Sequence, residues 1–328
     1  MAKYINYGGN YMPRQPGRSI ETAVHLFGVR AELGKLQALC DKTLNARDDN
    51  GAPLHPDLEY QVLSEVFLLL FMKMEKFCSD HPADKLKGMA REKELNIAIP
   101  LLALERFGPF LVPKRFVWYM PYLWIDSGVC MAAGRETYGF PKAMANIVVP
   151  DGIGQTAEFS VKAETWENFN AAQKCEIKTI VDVHRVGGGT VESVELIPHF
   201  LSFFTSLIEA FGFPQFPPSF PGSDLFPQMF RDLARFVFLK QFRDHADGDD
   251  ACYQAVIEAP VSYPAFHSGH WLAGKYEAQF FNYASTPVVA ELGLAGVAGN
   301  QATQEALFAG LLNFDFVLGN GETKWVAP

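Results

Sequence analysis

The chain has 328 residues, of which 48% are hydrophobic and 20% charged. That is an ordinary globular balance, with length enough to bury a sizeable core. A formal net charge of −9 gives a surface that repels nucleic acid and anionic lipid, so neither is expected as a partner.

Five cysteines, Cys40, Cys78, Cys130, Cys175 and Cys252, are odd in number and include no CxxC pair. That argues against a zinc knuckle and against a disulfide framework. Reduced, mostly buried thiols in a cytoplasmic protein are the expectation. The N-terminal stretch MAKYINYGGNYMPRQPGR lacks the apolar core of a secretory signal. The longest purely apolar run, Val66 to Met72, is far shorter than the roughly 20 residues a membrane-crossing helix needs.

In chain order, residues 1–19 carry Gly, Pro and Arg and read as a surface arm. Residues 21–29 are apolar and β-branched enough for a strand. Residues 30–44 place Leu33, Leu36, Ala38 and Leu39 at helical spacing. Residues 60–78 hold a long strand signal, VFLLLFMKMEKF, whose second half partly alternates as it leaves the core. Residues 83–94, ADKLKGMAREKE, are charged and predict a short exposed helix. Residues 95–110 return to strand, with Glu105 the one acid inside it.

Residues 116–126 form the strand that leads into YMPYLWIDSGVCMAAGRETYGFPKAMANI. There Ser127 can cap a short helix, and Gly139-Phe140-Pro141 makes a loop. Strands follow near 144–149, 156–162 and 175–184. Gly187-Gly188-Gly189 reads as a plain turn, because no Lys-Ser/Thr follows it and no helix opens there. Residues 196–211 read as an amphipathic helix and 214–227 as an irregular Pro/Phe-rich segment. Together, 196–230 form an insertion. Four more strands lie near 234–242, 255–263, 276–283 and 308–318. His267 and His270 fall in a turn between two of them, and no neighbouring acid or Cys completes a metal set.

No βα alternation with a glycine fingerprint occurs, and no composition break divides the chain. The fold class is therefore mainly β (α+β): one domain over 1–328, built of antiparallel strands with a few helices.

Lys142 follows a proline, which fixes the loop before it, and precedes the mostly apolar run AMANIVV. Two readings stand. A buried amine loses its charge because desolvation lowers its pKa, and it becomes a nucleophile toward ketones. An ordinary loop lysine snorkels to solvent. The residues alone do not choose between them.

The segment GRETYGFPKAMANI, preceded by PYLWIDSGVCMAA, resembles the signature of the acetoacetate decarboxylase family. Asp126, Gly134-Arg135-Glu136 and Phe140-Pro141-Lys142 stand in the motif's places. The resemblance is dense over about 30 residues and looser from about Glu21 to Trp325. It implies a double β-cone with a few peripheral helices, and a larger assembly, hence a homo-oligomer. It also implies a lysine, here Lys142, that forms a Schiff base with a small-molecule keto acid and needs no cofactor. The family's second lysine is replaced by Ala143, so Lys142 must be activated by desolvation or by a distant cation.

By the same resemblance Glu105 is the proton-transfer acid; its other reading is a pair with Arg106 or another cation. Arg18 is the carboxylate clamp, with Arg14 and Arg30 as alternatives. Trp124 and Phe140 keep water from the site. Arg135 and Glu136 hold the loop rather than touch substrate. The implied function is a lyase, of decarboxylase or aldolase-dehydratase type. The alternative is a non-catalytic small-molecule-binding protein on the same fold.

Overall fold

A computed structural model of the chain describes residues 3–5, 13–151, 158–187, 194–196 and 235–327. In chain order the elements are β1 (Gly17–Arg30), α1 (Leu33–Asp41), β2 (Leu58–Val62), β3 (Val66–Ser79), β4 (Ala90–Phe107), β5 (Phe110–Ile125) and α2 (Gly128–Tyr138). Then come β6 (Lys142–Val148), β7 (Glu158–Thr165), β8 (Glu176–Val186), β9 (Val194–Leu196), β10 (Arg235–Arg243) and β11 (Ala251–Leu272). The last are β12 (Lys275–Phe281), α3 (Val288–Leu292), β13 (Val297–Ala298), β14 (Gln301–Glu305), β15 (Phe308–Leu318) and β16 (Glu322–Val326).

Hydrogen-bonded neighbours run β5, β10, β11, β15, β1, β3, β4, and β4 pairs back onto β5. These strands close into a barrel, which removes their free edges. A second branch leaves β5 through β6 and continues through β7, β8, β12, β14 and β13. It packs over part of the barrel's outer face, so several barrel strands lie between two apolar layers.

β3 shows how the sequence encodes this. Phe67, Leu69 and Phe71 enter an outer core with Phe27 and Phe159, while Leu68, Leu70, Met72 and Met74 face the barrel interior. A strand covered on both faces reads as a continuous apolar run. Past Met72, Lys73 and Glu75 take the outward positions. The aromatic contacts Phe27–Phe159 and Phe71–Phe159, each with centroids 5.1 Å apart, bind the second layer to the barrel.

The mainly β, antiparallel reading holds. So do the helix at 30–44, here α1, the cap at Ser127 and the strand at 308–318. The helix expected over 83–94 does not form: the chain turns through 82–87 and then begins β4. Pairing of Met74 with Glu92 and Met72 with Glu94 overrides the local charge pattern. His267 and His270 lie inside the 22-residue β11, not in a turn. Register shifts around Tyr263-Pro264 and His267 let that strand run on, and His267 Nε2 sits 2.7 Å from Asp315. The thiols are free, but only Cys40 and Cys130 are buried.

Gly187 has φ +86°, as a turn requires. Gly188, Gly189, the helix expected from 196 onward and the Pro/Phe-rich segment lie outside the described residues, except that Leu196 ends β9.

Candidate active site

Helix α2 and the loop after it set the position of Lys142. The Ser127 hydroxyl accepts from the Cys130 amide at 3.4 Å, satisfying one free N–H of the first turn. The helix ends at Gly139, whose φ of +82° is left-handed. The Gly139 amide donates to Arg135 O and the Phe140 amide to Gly134 O, the paired bonds of a glycine-terminated helix. Pro141 follows, and Lys142 opens β6 parallel to β5, level with Leu123. Arg135 Nη1 donates to the Lys142 carbonyl at 2.9 Å. The stem of Lys142 passes under Gly134, where a Cβ would lie 3.1 Å from its Cδ and Cε.

The side chain therefore points into the barrel and is almost fully buried. Its Nζ lies 2.5 Å from Glu94 Oε1, 3.7 Å from Glu92 Oε2 and 5.3 Å from the Phe140 ring centroid. Glu92, Glu94 and Asn96 share one face of β4 at a spacing of two. Glu94 Oε1 is taken by the Lys142 ammonium, Glu92 Oε2 and Asn96 Oδ1 are buried without a hydrogen-bond partner, and Asn96 Nδ2 donates to Glu94 Oε2 at 3.4 Å. The Cys130 thiol lies beside Glu92.

Burial alone pulls the pKa of Lys142 down, but Glu92 and Glu94 outweigh it and hold the lysine above its ordinary value. The expected depression by desolvation is thus reversed: the amine is buried, yet it rests as an ammonium. Burial pushes Glu92 up to about 7, with Lys142 opposing and Glu94 adding to the rise. Burial, with Glu92 close by, pushes the Cys130 thiol up to about 12.

A cavity of about 150 Å³ fills the barrel interior beside Lys142. Lys142, Glu92, Glu94 and Asn96 stand together on its wall; most of the rest is aliphatic and aromatic, with Gln15 and Thr137 also lining it. Arg14 lines it too, but is tied to Asp84 by its amide at 2.8 Å and its guanidinium at 3.2 Å.

Of the residues expected at the site, Lys142 and Phe140 line this cavity and Arg135 supports the loop. Glu136 shares α2 with Arg135 and faces toward Lys240, on whose charge it acts. The other three lie elsewhere. Glu105 is eleven residues past Glu94 on β4, roughly 36 Å along the strand. It is ion-paired to Arg115, and although burial opposes it, that partner holds its pKa low. This is the pairing reading, with Arg115 rather than Arg106 as the cation. Trp124 faces the outer core, stacked on Tyr122 at 5.5 Å, because its neighbour Leu123 takes the inward position. Arg18 forks onto Asp80, at 2.7 Å through Nη2, and is absent from the cavity wall.

Glu92 and Glu94 escaped notice because their segment read as an exposed helix. The alternation Glu92-Lys93-Glu94-Leu95-Asn96, running straight into an apolar stretch, is the strand signal that marks them. Among the described residues no group of three or more His, Cys, Asp or Glu is arranged to hold a metal.

The acetoacetate decarboxylase (ADC) family model matches residues 65–178, a span that contains β4, α2 and the Lys142 loop. No curated protein matches the sequence. Three solved structures are similar over nearly the whole chain. Acetoacetate decarboxylase from Legionella pneumophila has a TM-score of 0.57 at 13% identity, covering 99% of this chain and 92% of that one. The enduracididine biosynthesis enzyme MppR, complexed with the condensation product of pyruvate and imidazole 4-carboxaldehyde, has a TM-score of 0.53 at 14% identity, covering 96% and 91%. An acetoacetate decarboxylase-like enzyme from Sphingomonas wittichii has a TM-score of 0.52 at 12% identity, covering 94% and 93%. Residues 65–178, which carry the buried lysine and its carboxylates, are thus acetoacetate decarboxylase-like in sequence, and the chain as a whole has the acetoacetate decarboxylase fold.

Proposed function

We propose that the protein is a lyase that forms an imine between Lys142 and the carbonyl carbon of a keto acid, as a decarboxylase or as an aldolase-dehydratase. The observation that carries this reading is the seating of Lys142: an amine held in an apolar cavity with carboxylates 2.5 and 3.7 Å away.

The amine adds to the carbonyl to give a carbinolamine, and loss of water gives a protonated imine. Attack requires the neutral amine. Glu94, in contact with Nζ, and Glu92, with a pKa near 7, are placed to take the proton. The iminium carries the same positive charge in the same place as the ammonium, so the carboxylates that favour one favour the other. A β-keto acid then releases carbon dioxide, and the electrons of the broken C–C bond enter the iminium. The resulting enamine takes a proton at carbon, and hydrolysis frees the lysine and the ketone product.

In the condensation variant the iminium instead loses a proton from its α-carbon, the enamine so formed attacks an aldehyde, water is lost, and hydrolysis of the condensed imine frees the lysine. The condensation product bound in MppR is a reason to keep that variant beside decarboxylation. The iminium is itself the electron sink, so the reaction calls on no cofactor.

One observation favours the alternative of a non-catalytic binding protein: the ion pairs keep Lys142 protonated at rest. Borohydride trapping decides between the two. With acetoacetate or pyruvate, an adduct on the peptide containing Lys142 is expected. Its rate of formation should rise about tenfold per pH unit across pH 7–9, because the neutral fraction rises so below the pKa. No adduct with either acid at any of these pH values would leave the binding reading standing. Where an adduct forms, products separate the chemistries: carbon dioxide with acetone, or a condensed enone.

A further inference from the structure

Imine formation needs one carbonyl carbon within reach of Lys142. It does not need the cavity to extend beyond the amine between apolar walls, yet this one does. Strand register gives the direction. Met72 pairs with Glu94 and with Val24; the next inward row joins Leu70 to Asn96 and Leu26, and the next joins Leu68 to Ala98. Two such steps span roughly 13 Å along the strands. Over that span the wall changes from carboxylate to aliphatic. Trp118, level with Pro100 past Ala98, lines it too, while Leu312 is level with Val24 in the carboxylate row. Phe308, level with Gly28 in the same row as Leu68, packs edge to face on Trp271 at 5.8 Å.

The cavity's unpartnered buried acceptors, on Glu92 and Asn96, sit beside the Lys142–Glu94 pair. A carboxylate or other acceptor-rich group placed further in would leave the cations behind and bear most of the cost of losing water. An apolar protein cavity of about 150 Å³ accommodates a benzene ring, and this cavity has that volume.

We propose that the substrate carries an apolar arm the size of a phenyl ring, lodged against Leu26, Leu68, Leu70 and Trp118, with its carbonyl carbon at Lys142. The position of the carbonyl rests on the imine reading; the binding of the arm does not. A short keto acid such as acetoacetate would fill the lysine end and leave the arm's contacts unused.

The test compares 4-phenylbutan-2-one with butan-2-one on the full chain, by borohydride trapping at Lys142. It also compares the corresponding alcohols, which form no imine, by titration calorimetry. The phenyl compound of each pair should act at a ten- to hundredfold lower concentration, the range expected for burying one such side group. Leu68→Trp, or Leu26→Phe where circular dichroism shows the first variant unfolded, should collapse that ratio toward one. Equal concentrations for the two ketones, or no preference between the two alcohols, would overturn the proposal. A selective phenyl alcohol with no trapped ketone would sustain the arm and remove the imine.

Discussion

At the scale of residues, the site is a contest between burial and charge. Burial pulls the lysine toward neutrality and the glutamates toward protonation, while each charge stabilises its opposite. The outcome is a protonated Lys142 and a Glu92 poised near pH 7. That poise has a thermodynamic signature. The folded pKa of Glu92, about 7, lies above its ordinary value of 4.5. Between those limits the folded state binds more protons than the unfolded state. The Glu92 contribution to stability is therefore complete below about pH 4.5 and is lost as pH rises through 7. Glu92→Gln should abolish that loss. Urea unfolding of both proteins from pH 4.5 to 8 should show the variant gaining on the wild type, by on the order of 2–3 kcal/mol across the window. Parallel profiles would mean that Glu92 titrates like a solvated carboxyl.

At the scale of elements, the α2 loop carries the geometry. Gly139 supplies the left-handed turn that stops α2 and aims Phe140 and Lys142 into the barrel. It also lets β10 pass close by: a Cβ there would lie 2.8 Å from the Lys240 backbone nitrogen. Gly139→Ala should cost about 2–4 kcal/mol, combining the left-handed penalty with the clash. Gly51, with φ +78° and nothing within 4 Å of its virtual Cβ, is the control, and Gly51→Ala should cost only about 1 kcal/mol. Equal losses in chemical denaturation would show that backbone conformation alone matters at Gly139. A displaced loop should also slow trapping at Lys142.

At the scale of the whole molecule, the closed barrel is pinned from outside as well as filled from within. Glu258 of β11 is fully buried and takes two bonds from Arg115 of β5, each 2.6 Å, and one from the Tyr60 hydroxyl of β2 at 3.0 Å. Arg115 also holds Glu105 of β4. This network joins strands distant in sequence, and Glu105 belongs to it rather than to the cavity. Arg115→Met leaves Glu258 buried with the Tyr60 hydroxyl at 3.0 Å, Lys324 at 3.7 Å and Arg235 at 3.9 Å. The expected loss is about 3 kcal/mol, at the low end for an orphaned buried charge because those cations remain. Adding Glu258→Gln should recover part of it in a double-mutant cycle, since the stranded charge is then gone.

The sequence by itself determined the local features. Ser127, Gly139 and Pro141 dictate where α2 starts, where it stops and how β6 begins, because cap and turn chemistry depends on a few adjacent residues. The apolar run of β3 announces a strand covered on both faces. The density of the 126–142 motif singles out Lys142 and Phe140. Tertiary structure alone decided which carboxylates meet the lysine. A strand's inward face depends on its pairing and its bulges, so Glu92 and Glu94 turn inward while Glu105 and Trp124 turn away. It also decided the sign of the lysine's pKa shift, because burial and charge oppose each other there and only distances fix which prevails.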